Sequence, residues 1–260
     1  MVRFCANVSM LFAEAPFLER FGRARAAGFD AVEFQFPYDF APDAIRAELD
    51  RHDLELVLFN LPAGNFAAGD RGMANDPGRV DDFRATVSTA MNYADVLKPA
   101  KMNCMAGKLL AGVPESQQRA TLIANLRDTA DQAAAKGILL VTEPLNPHDA
   151  PGFFLPRPSD GFAIVAEANH PNLKVEYDIY HAQRTEGEIV ATIRNHIDAI
   201  GHIQIADNPG RNEPGTGELN WPFIFAAIDE VGCDTRIGLE YKPSTERTED
   251  SLGWMKEYVQ

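Results

Sequence analysis

Cysteine is scarce in this sequence. The three cysteines, Cys5, Cys104 and Cys233, are far apart, and no two of them form a CxxC pair. Such spacing argues against the disulfide framework of a small secreted domain and against a zinc knuckle. No apolar run approaches the roughly 20 residues of a membrane span, and the N-terminal segment has too little uninterrupted apolar length for a signal peptide. These absences predict a soluble, cytoplasmic protein without a membrane partner.

Basic residues are also few. The chain has 24 Lys and Arg against 38 Asp and Glu, a formal net charge of −14. This charge repels phosphate backbones, and no local basic patch offsets it, so we expect no nucleic-acid partner. Neither GxGxxG nor GxxxxGK[ST] follows any strand-like run, which argues against a dinucleotide site or a P-loop on an open doubly wound sheet.

Strand-like and helix-like segments alternate along the whole chain. Alternation of this kind indicates a parallel sheet, and 260 residues suit one (β/α)₈ barrel, which typically needs about 250. The sequence therefore predicts a single TIM-barrel domain over residues 1–260. Glycines 28, 137 and 232 follow helical patterns, as residues in the left-handed conformation after a helix do. The predicted strands are 3–8, 31–36, 55–60, 101–104, 138–143, 173–178, 202–205 and 236–241. The predicted helices are 17–27, 43–52, 78–97, 115–136, 160–168, 187–197, 221–231 and 248–258.

The longest connections follow predicted strands, at 61–77, 105–114, 144–159 and 206–220. In a barrel of this type the loops after the strands surround the catalytic end. We therefore interpret these loops as functional.

An oxygen-bearing side chain lies at or near the C-terminal end of each of the last four predicted strands. These residues are Glu143, Asp178, Gln204 and Glu240. Because side chains alternate along a strand, Glu176 shares the face of Asp178, and His202 shares the face of Gln204. Both are expected inside the barrel. The four strand ends should meet at one site.

Several carboxylates at the C-terminal end of one barrel need a positive partner. Two of them about 4 Å apart repel by roughly 4 kcal/mol at an effective dielectric near 20, close to 3 pKa units. A divalent cation resolves this, and three carboxylates with one amide oxygen suit Mg²⁺ or Mn²⁺. The alternative is that one carboxyl group is protonated or paired with Lys242 or Arg236.

Glu143 and Glu240 also suit proton transfer. Moving a proton between adjacent carbons of a hydroxy-ketone needs a base, an acid and a Lewis acid on the two oxygens. His181 follows closely behind Asp178 and is a candidate to bond a substrate oxygen or carboxylate. Arg211 is a candidate to clamp an anionic substrate in bidentate fashion. Arg71 is a weaker candidate of the same kind, better interpreted as a solvated loop residue.

The sequence resembles the hydroxypyruvate isomerase family of the xylose-isomerase-like TIM barrels, nearly end to end. The resemblance rests on residues 3–12, 31–38 and 60–64, YDIYH at 177–181, HIQIADNPGR at 202–211, EPGTGE at 213–218 and GLEYKP at 238–243. It implies interconversion of hydroxypyruvate and tartronate semialdehyde, a small 2-oxo or hydroxy acid substrate, and Glu143 and Glu240 as the acid/base pair. It also implies Glu143, Asp178, Gln204 and Glu240 as metal ligands.

One ligand departs from the wider sugar-epimerase branch, where a histidine is typical at the place of Gln204. A neutral amide is a poorer ligand than imidazole for the later transition metals. The alternatives are a 2-oxo-tetronate isomerase or related sugar-acid isomerase or epimerase, a DNA-repair endonuclease, and a non-catalytic sugar-acid binding protein. A homo-oligomer is compatible with the sequence.

Overall fold

Eight parallel strands pair in chain order and close into a barrel, in a computed structural model that describes residues 2–233 and 235–258. This confirms the predicted (β/α)₈ fold. β2 and β8 end before the predicted residues 36 and 241, and β7 begins before residue 202. The strands are β1 Arg3–Asn7, β2 Ala31–Phe34, β3 Glu55–Asn60, β4 Lys101–Asn103, β5 Leu139–Thr142, β6 Leu173–Asp178, β7 Ile200–Ile205 and β8 Arg236–Leu239.

The described residues also contain α-helices between the strands. They are α1 Phe17–Ala26, α2 Pro42–Arg51, α3 Val80–Leu97, α4 Glu115–Ala134, α5 Pro158–Ala168, α6 Ile179–Gln183, α7 Ile189–His196 and α8 Trp221–Glu230. Short 3₁₀ helices lie at Phe66–Ala68 and Ile197–Ala199. The segment predicted as a helix over 248–258 is instead a 3₁₀ helix, Thr248–Glu257, and Gly253, which has a low α-helix propensity, lies within it. None of the described helices is long and apolar enough to cross a membrane.

The packing of α3 shows how the helices cover the barrel. Its buried residues recur every three or four positions and so form one face, between α2 and α4. Burying each large apolar side chain of such a face contributes about 1.5–3 kcal/mol. The glycines predicted to follow α1 and α8, Gly28 and Gly232, have φ values of 98° and 69°. No L-residue with a β-carbon adopts the first of these angles without strain.

The barrel interior has an apolar part and a polar part. Cys5, Ala31, Val57 and Val141 belong to a small buried apolar cluster. Buried polar side chains occupy the rest, and His202 and Glu176 are among them, as strand alternation predicts. Glu176 pairs in register with His202, and Asp178 pairs with Gln204, so two polar layers follow one another toward the C-terminal end, hereafter the mouth. The three cysteines are free thiols.

Candidate active site

The four predicted oxygen-bearing residues meet at the mouth. Asp178 ends β6, Gln204 lies in β7, and Glu143 and Glu240 directly follow β5 and β8. None of the four is more than 5% exposed. The mouth therefore concentrates three carboxyl groups in a buried volume.

Glu143, Asp178 and His181 offer ligand atoms that all lie within 4.8 Å of one another. Nε2 of His181 is 3.7 Å from Oε1 of Glu143 and 3.6 Å from Oδ2 of Asp178. The short helix α6 begins directly after β6, because Oδ1 of Asp178 accepts the backbone N–H of Tyr180 at 2.8 Å. This cap places His181 beside Glu143 and Asp178 at the mouth.

The hydrogen bonds of His181 fix its tautomer. The backbone N–H of Asn146 donates to Nδ1 of His181 at 3.2 Å, so this nitrogen is an acceptor and the ring proton is on Nε2. The side-chain amide of Asn146 also lies 2.6 Å from Nδ1. Burial, and next the charges of Arg211 and Arg184, hold the pKa of His181 well below its usual value. A neutral ring therefore presents an N–H to the mouth.

The carboxyl groups influence one another as the repulsion argument predicts. Burial raises the pKa of Glu143 well above its usual value, and the neighbouring charges of Glu240 and Asp178 raise it further. Burial raises the pKa of Asp178 from 3.8 to about 7, although Arg211 opposes the rise. The pKa of Glu176 is raised as well, by burial and by the charges of Glu143 and Glu33. Ionising all of these carboxyl groups at neutral pH is therefore unfavourable.

The oxygens at the mouth fit a divalent cation. Within the described residues, Oε1 of Glu143, Oδ2 of Asp178 and Oε1 of Gln204 are buried without a hydrogen-bond partner. The other polar atom of each side chain is held: Asn103 donates to Oε2 of Glu143 at 3.2 Å, and Gln204 donates its amide N–H to Glu33 at 2.7 Å. Buried unpaired oxygens are unfavourable, and an ion that prefers oxygen ligands would satisfy all three.

Glu240 is held differently from Glu143. Its Oε2 accepts a bond from Arg211 at 2.5 Å, and its Oε1 accepts bonds from Gln35 at 2.9 Å and from Asn7 at 3.2 Å. These three donors fix the orientation of the Glu240 carboxylate. The expected alternative of pairing with Arg236 is wrong, because Arg236 begins β8 at the opposite end of the barrel and bonds Asp30 and Glu55 there.

Arg211 reaches Glu240 from a tightly built turn after β7. The backbone N–H of Arg211 donates to the carbonyl of Asp207 at 2.9 Å, and φ of Arg211 is 57°. The Asp207 carboxylate accepts the N–H groups of Gly215 and Gly217 at 2.8 and 3.0 Å and the indole N–H of Trp221 at 2.9 Å. Asp207 thus anchors the loop that aims Arg211.

A cavity of about 540 Å³ opens above these groups. Residues of the predicted functional loops line it, including Met105, Asp149 and Arg211. Arg71 also lines the cavity, although the sequence favoured a solvated role, and its guanidinium stacks 3.7 Å from the ring centroid of Phe66. The side chain of Lys242 is at the same rim.

Comparison with known proteins agrees with this geometry. The family described as the xylose isomerase-like TIM barrel matches residues 21–258. The chain belongs to this family. A hydroxypyruvate isomerase of Escherichia coli is 47% identical, over 99% of this chain and all of the relative. A 2-oxo-tetronate isomerase of Cupriavidus necator is 46% identical, over all of this chain and 99% of the relative.

A solved structure is similar throughout. It is named as an AP endonuclease, family 2, from Brucella melitensis, with a TM-score of 0.96 and 43% identity over the full length of both chains. The resemblance to the xylose-isomerase-like TIM barrels, expected from the sequence, is confirmed. The names of the curated relatives agree with the expectation of an isomerase rather than a non-catalytic binder.

Sequence reasoning missed the polar residues of the first strands in this xylose isomerase-like barrel. Asn7, Glu33, Gln35 and Asn103 all bond the predicted site residues, and Glu33, Asn7 and Asn103 are buried. A signal existed, because Glu33 and Gln35 alternate with apolar residues at the end of a predicted strand. The contacts themselves join strands distant in sequence.

Proposed function

We propose that this protein is an isomerase of a small 2-oxo acid with a neighbouring hydroxyl group, and that it interconverts hydroxypyruvate and tartronate semialdehyde. One observation carries the proposal: two buried glutamates, Glu143 and Glu240, lie at the mouth together with oxygens that have no hydrogen-bond partner among the described residues. Binding alone does not require such a pair. The names of two relatives that align over nearly their whole length support the same activity.

The reaction moves one proton between carbons. Hydroxypyruvate loses a proton from its hydroxymethyl carbon and gains one on its carbonyl carbon, while the hydroxyl proton passes to the former carbonyl oxygen. Glu240 follows β8 and Glu143 follows β5, so β6 and β7 separate their strands in the ring. Two glutamates across the mouth can act on the two neighbouring carbons, one as base and one as acid.

The environments of the two glutamates suit these opposite roles. Three donors hold the carboxylate of Glu240 at the mouth, and we assign this residue as the base for hydroxypyruvate. Burial and neighbouring charge raise the pKa of Glu143. A carboxyl group that retains its proton can act as the acid, so we assign that role to Glu143.

We assign Glu143, Asp178, Gln204 and Glu240 as the residues that would hold Mg²⁺ or Mn²⁺. Their donor atoms are all oxygen, which suits these ions better than zinc. Bound there, such an ion would supply a Lewis acid that polarises the carbonyl and hydroxyl oxygens of the substrate.

Arg211 and His181 are proposed to hold the substrate's carboxylate or carbonyl oxygen. His181 presents Nε2–H to the mouth, and Arg211 is aimed there by its turn. The buried Nε–H of Arg211 has no partner among the described residues, which leaves it available to an anionic group. Arg211 would thus contact both Glu240 and the substrate, which orients the two.

A 2-oxo-tetronate is the second candidate substrate, since it differs from hydroxypyruvate only by a hydroxymethyl group on the hydroxyl-bearing carbon. The 540 Å³ cavity has room for it. Comparing kcat/KM for the two substrates decides between them. An endonuclease activity, suggested by the name of the Brucella protein, is disfavoured by the net charge of −14. Cleavage of an abasic duplex at low salt would support an endonuclease activity.

The test of the proposed mechanism is solvent exchange. With hydroxypyruvate in deuterated water, we expect the wild-type protein to produce tartronate semialdehyde and to incorporate deuterium. Glu143→Gln and Glu240→Gln should each abolish both. The matched control is Glu176→Gln, a buried glutamate of the barrel interior that should keep its activity. Retained turnover in either of the first two variants would contradict the assigned roles.

A further inference from the structure

Glu33 gathers donors from two other strands inside the barrel. It is completely buried on β2. Its Oε2 accepts a bond from Nε2 of His202 at 2.7 Å and a weak one from the Cys5 thiol at 3.3 Å. Its Oε1 accepts bonds from Gln204 at 2.7 Å and Asn7 at 3.0 Å. These four donors hold the carboxylate in one orientation.

The tautomer of His202 follows from its other neighbour. Nδ1 of His202 lies 3.1 Å from Nζ of Lys101, and an ammonium group can only donate. Nδ1 therefore accepts, and the ring proton is on Nε2, directed at Glu33. Lys101 is also held by the Thr235 hydroxyl. A positive charge thus supports Glu33 through a neutral imidazole.

Glu33 also determines which way two amides face. An ionised carboxylate can only accept, so the NH₂ group of Gln204 must be toward Glu33. Oε1 of Gln204 then faces away and is one of the unpartnered buried oxygens of the described residues. Asn7 is oriented in the same way, because its NH₂ group bridges Glu33 and Glu240 while its oxygen accepts the N–H of Ser9.

We propose that Glu33 is a positioning residue of the cation site: it locks the Gln204 amide so that an oxygen, rather than an NH₂ group, faces a divalent cation. This inference rests on the proposed cation site and assigns a role to a residue outside it. Without Glu33, rotation of the amide by half a turn would present two N–H donors to the cation, which repel it.

Gly238 supplies independent support. A β-carbon there would lie 2.3 Å from Oε1 of Glu33. Gly238 is also the register partner of Gln204 on the neighbouring strand. Its φ is not positive, so the requirement for glycine is one of space. Position 238 has no side chain, and the Glu33 carboxylate occupies the volume that this leaves beside Gln204.

The test measures cation binding without substrate. Mn²⁺ affinity, from the free-ion signal in electron paramagnetic resonance, should fall about 10- to 100-fold in Glu33→Gln, the usual effect of removing such a supporting group. Glu176→Gln is the matched control and should bind within about twofold of the wild type. Gly238→Ala, which displaces Glu33 without removing it, should weaken Mn²⁺ binding as well, and it provides the test should Glu33→Gln not fold.

A double-mutant cycle distinguishes positioning from general structural damage. In a Gln204→Ala background the amide is gone, so Glu33→Gln should weaken Mn²⁺ binding no further. Additive effects would overturn the inference, as would wild-type affinity in the folded Glu33→Gln and Gly238→Ala variants. A wild-type protein that binds no Mn²⁺ would overturn the proposed cation site together with this role.

Discussion

Replacing Asp178 by asparagine should make the cation-free protein more stable at alkaline pH. The pKa of Asp178 is raised from 3.8 to about 7 by burial. A raised pKa means that the folded state holds the proton more tightly than the unfolded state. Its contribution to stability is therefore intact below pH 3.8 and is lost as the pH rises toward 7 and beyond. Asparagine has nearly the same shape and cannot ionise.

The magnitude follows from the two pKa values of Asp178. A difference of about three corresponds to about 4 kcal/mol in the free energy of unfolding at high pH. Roughly half of this, about 2 kcal/mol, is lost between pH 5.5 and 8.5. The advantage of Asp178→Asn over the wild type should therefore widen by about 2 kcal/mol over that interval and approach 4 kcal/mol at its upper end.

Urea unfolding of chelator-treated protein at several pH values measures this difference. Adding Mn²⁺ at about 100 times its dissociation constant should stabilise the wild type by about 2.7 kcal/mol and the variant far less. Parallel stability curves for the two proteins, or a wild type that stays the more stable at pH 8.5, would refute the reasoning. Either result would mean that Asp178 is ionised without penalty in the folded protein.

Two further predictions concern the groups around the mouth. Asp207→Ala removes the acceptor of several loop N–H groups and of the Trp221 indole, so kcat/KM should fall about 100-fold through misplacement of Arg211, while the circular dichroism spectrum stays unchanged. Unchanged kinetics would show that the turn does not depend on Asp207. His181 should stay neutral with its proton on Nε2 from pH 5.5 to 8.5 in ¹⁵N NMR spectra, because burial lowers its pKa; a titration midpoint near 6.5 would contradict this.

Much of the fold could be predicted because it depends on local patterns. Alternating strand and helix patterns indicated all eight strands, and the position of Glu143 or Glu240 at a strand end placed it at the mouth. Element ends were less accurate, and α6 was not predicted at all. That helix begins directly after β6, where the side chain of Asp178 caps it.

The supporting groups could not be predicted in the same way. Alternation alone places Glu33 inside the barrel, but its bond to Gln204 spans 171 residues of sequence. Which strands face each other across the interior depends on the stagger of the closed barrel. The guanidinium of Arg211 likewise reaches Glu240 only because the turn after β7 is folded around Asp207.

The pKa values of the acidic residues inside the barrel are shifted in two opposite directions. Burial raises the pKa of Glu33 as it does that of Asp178, but His202 and the amides of Gln204 and Asn7 outweigh this effect and hold the pKa of Glu33 below its usual value. Glu33 is therefore ionised at neutral pH, whereas Glu143 and Asp178 each keep a buried oxygen without a partner among the described residues. A neutral amide oriented in this way adds an oxygen ligand without adding a further carboxylate to the cation site. On this reasoning the barrel specifies the orientation of Gln204, the weakest ligand by chemistry alone, through its bond to Glu33.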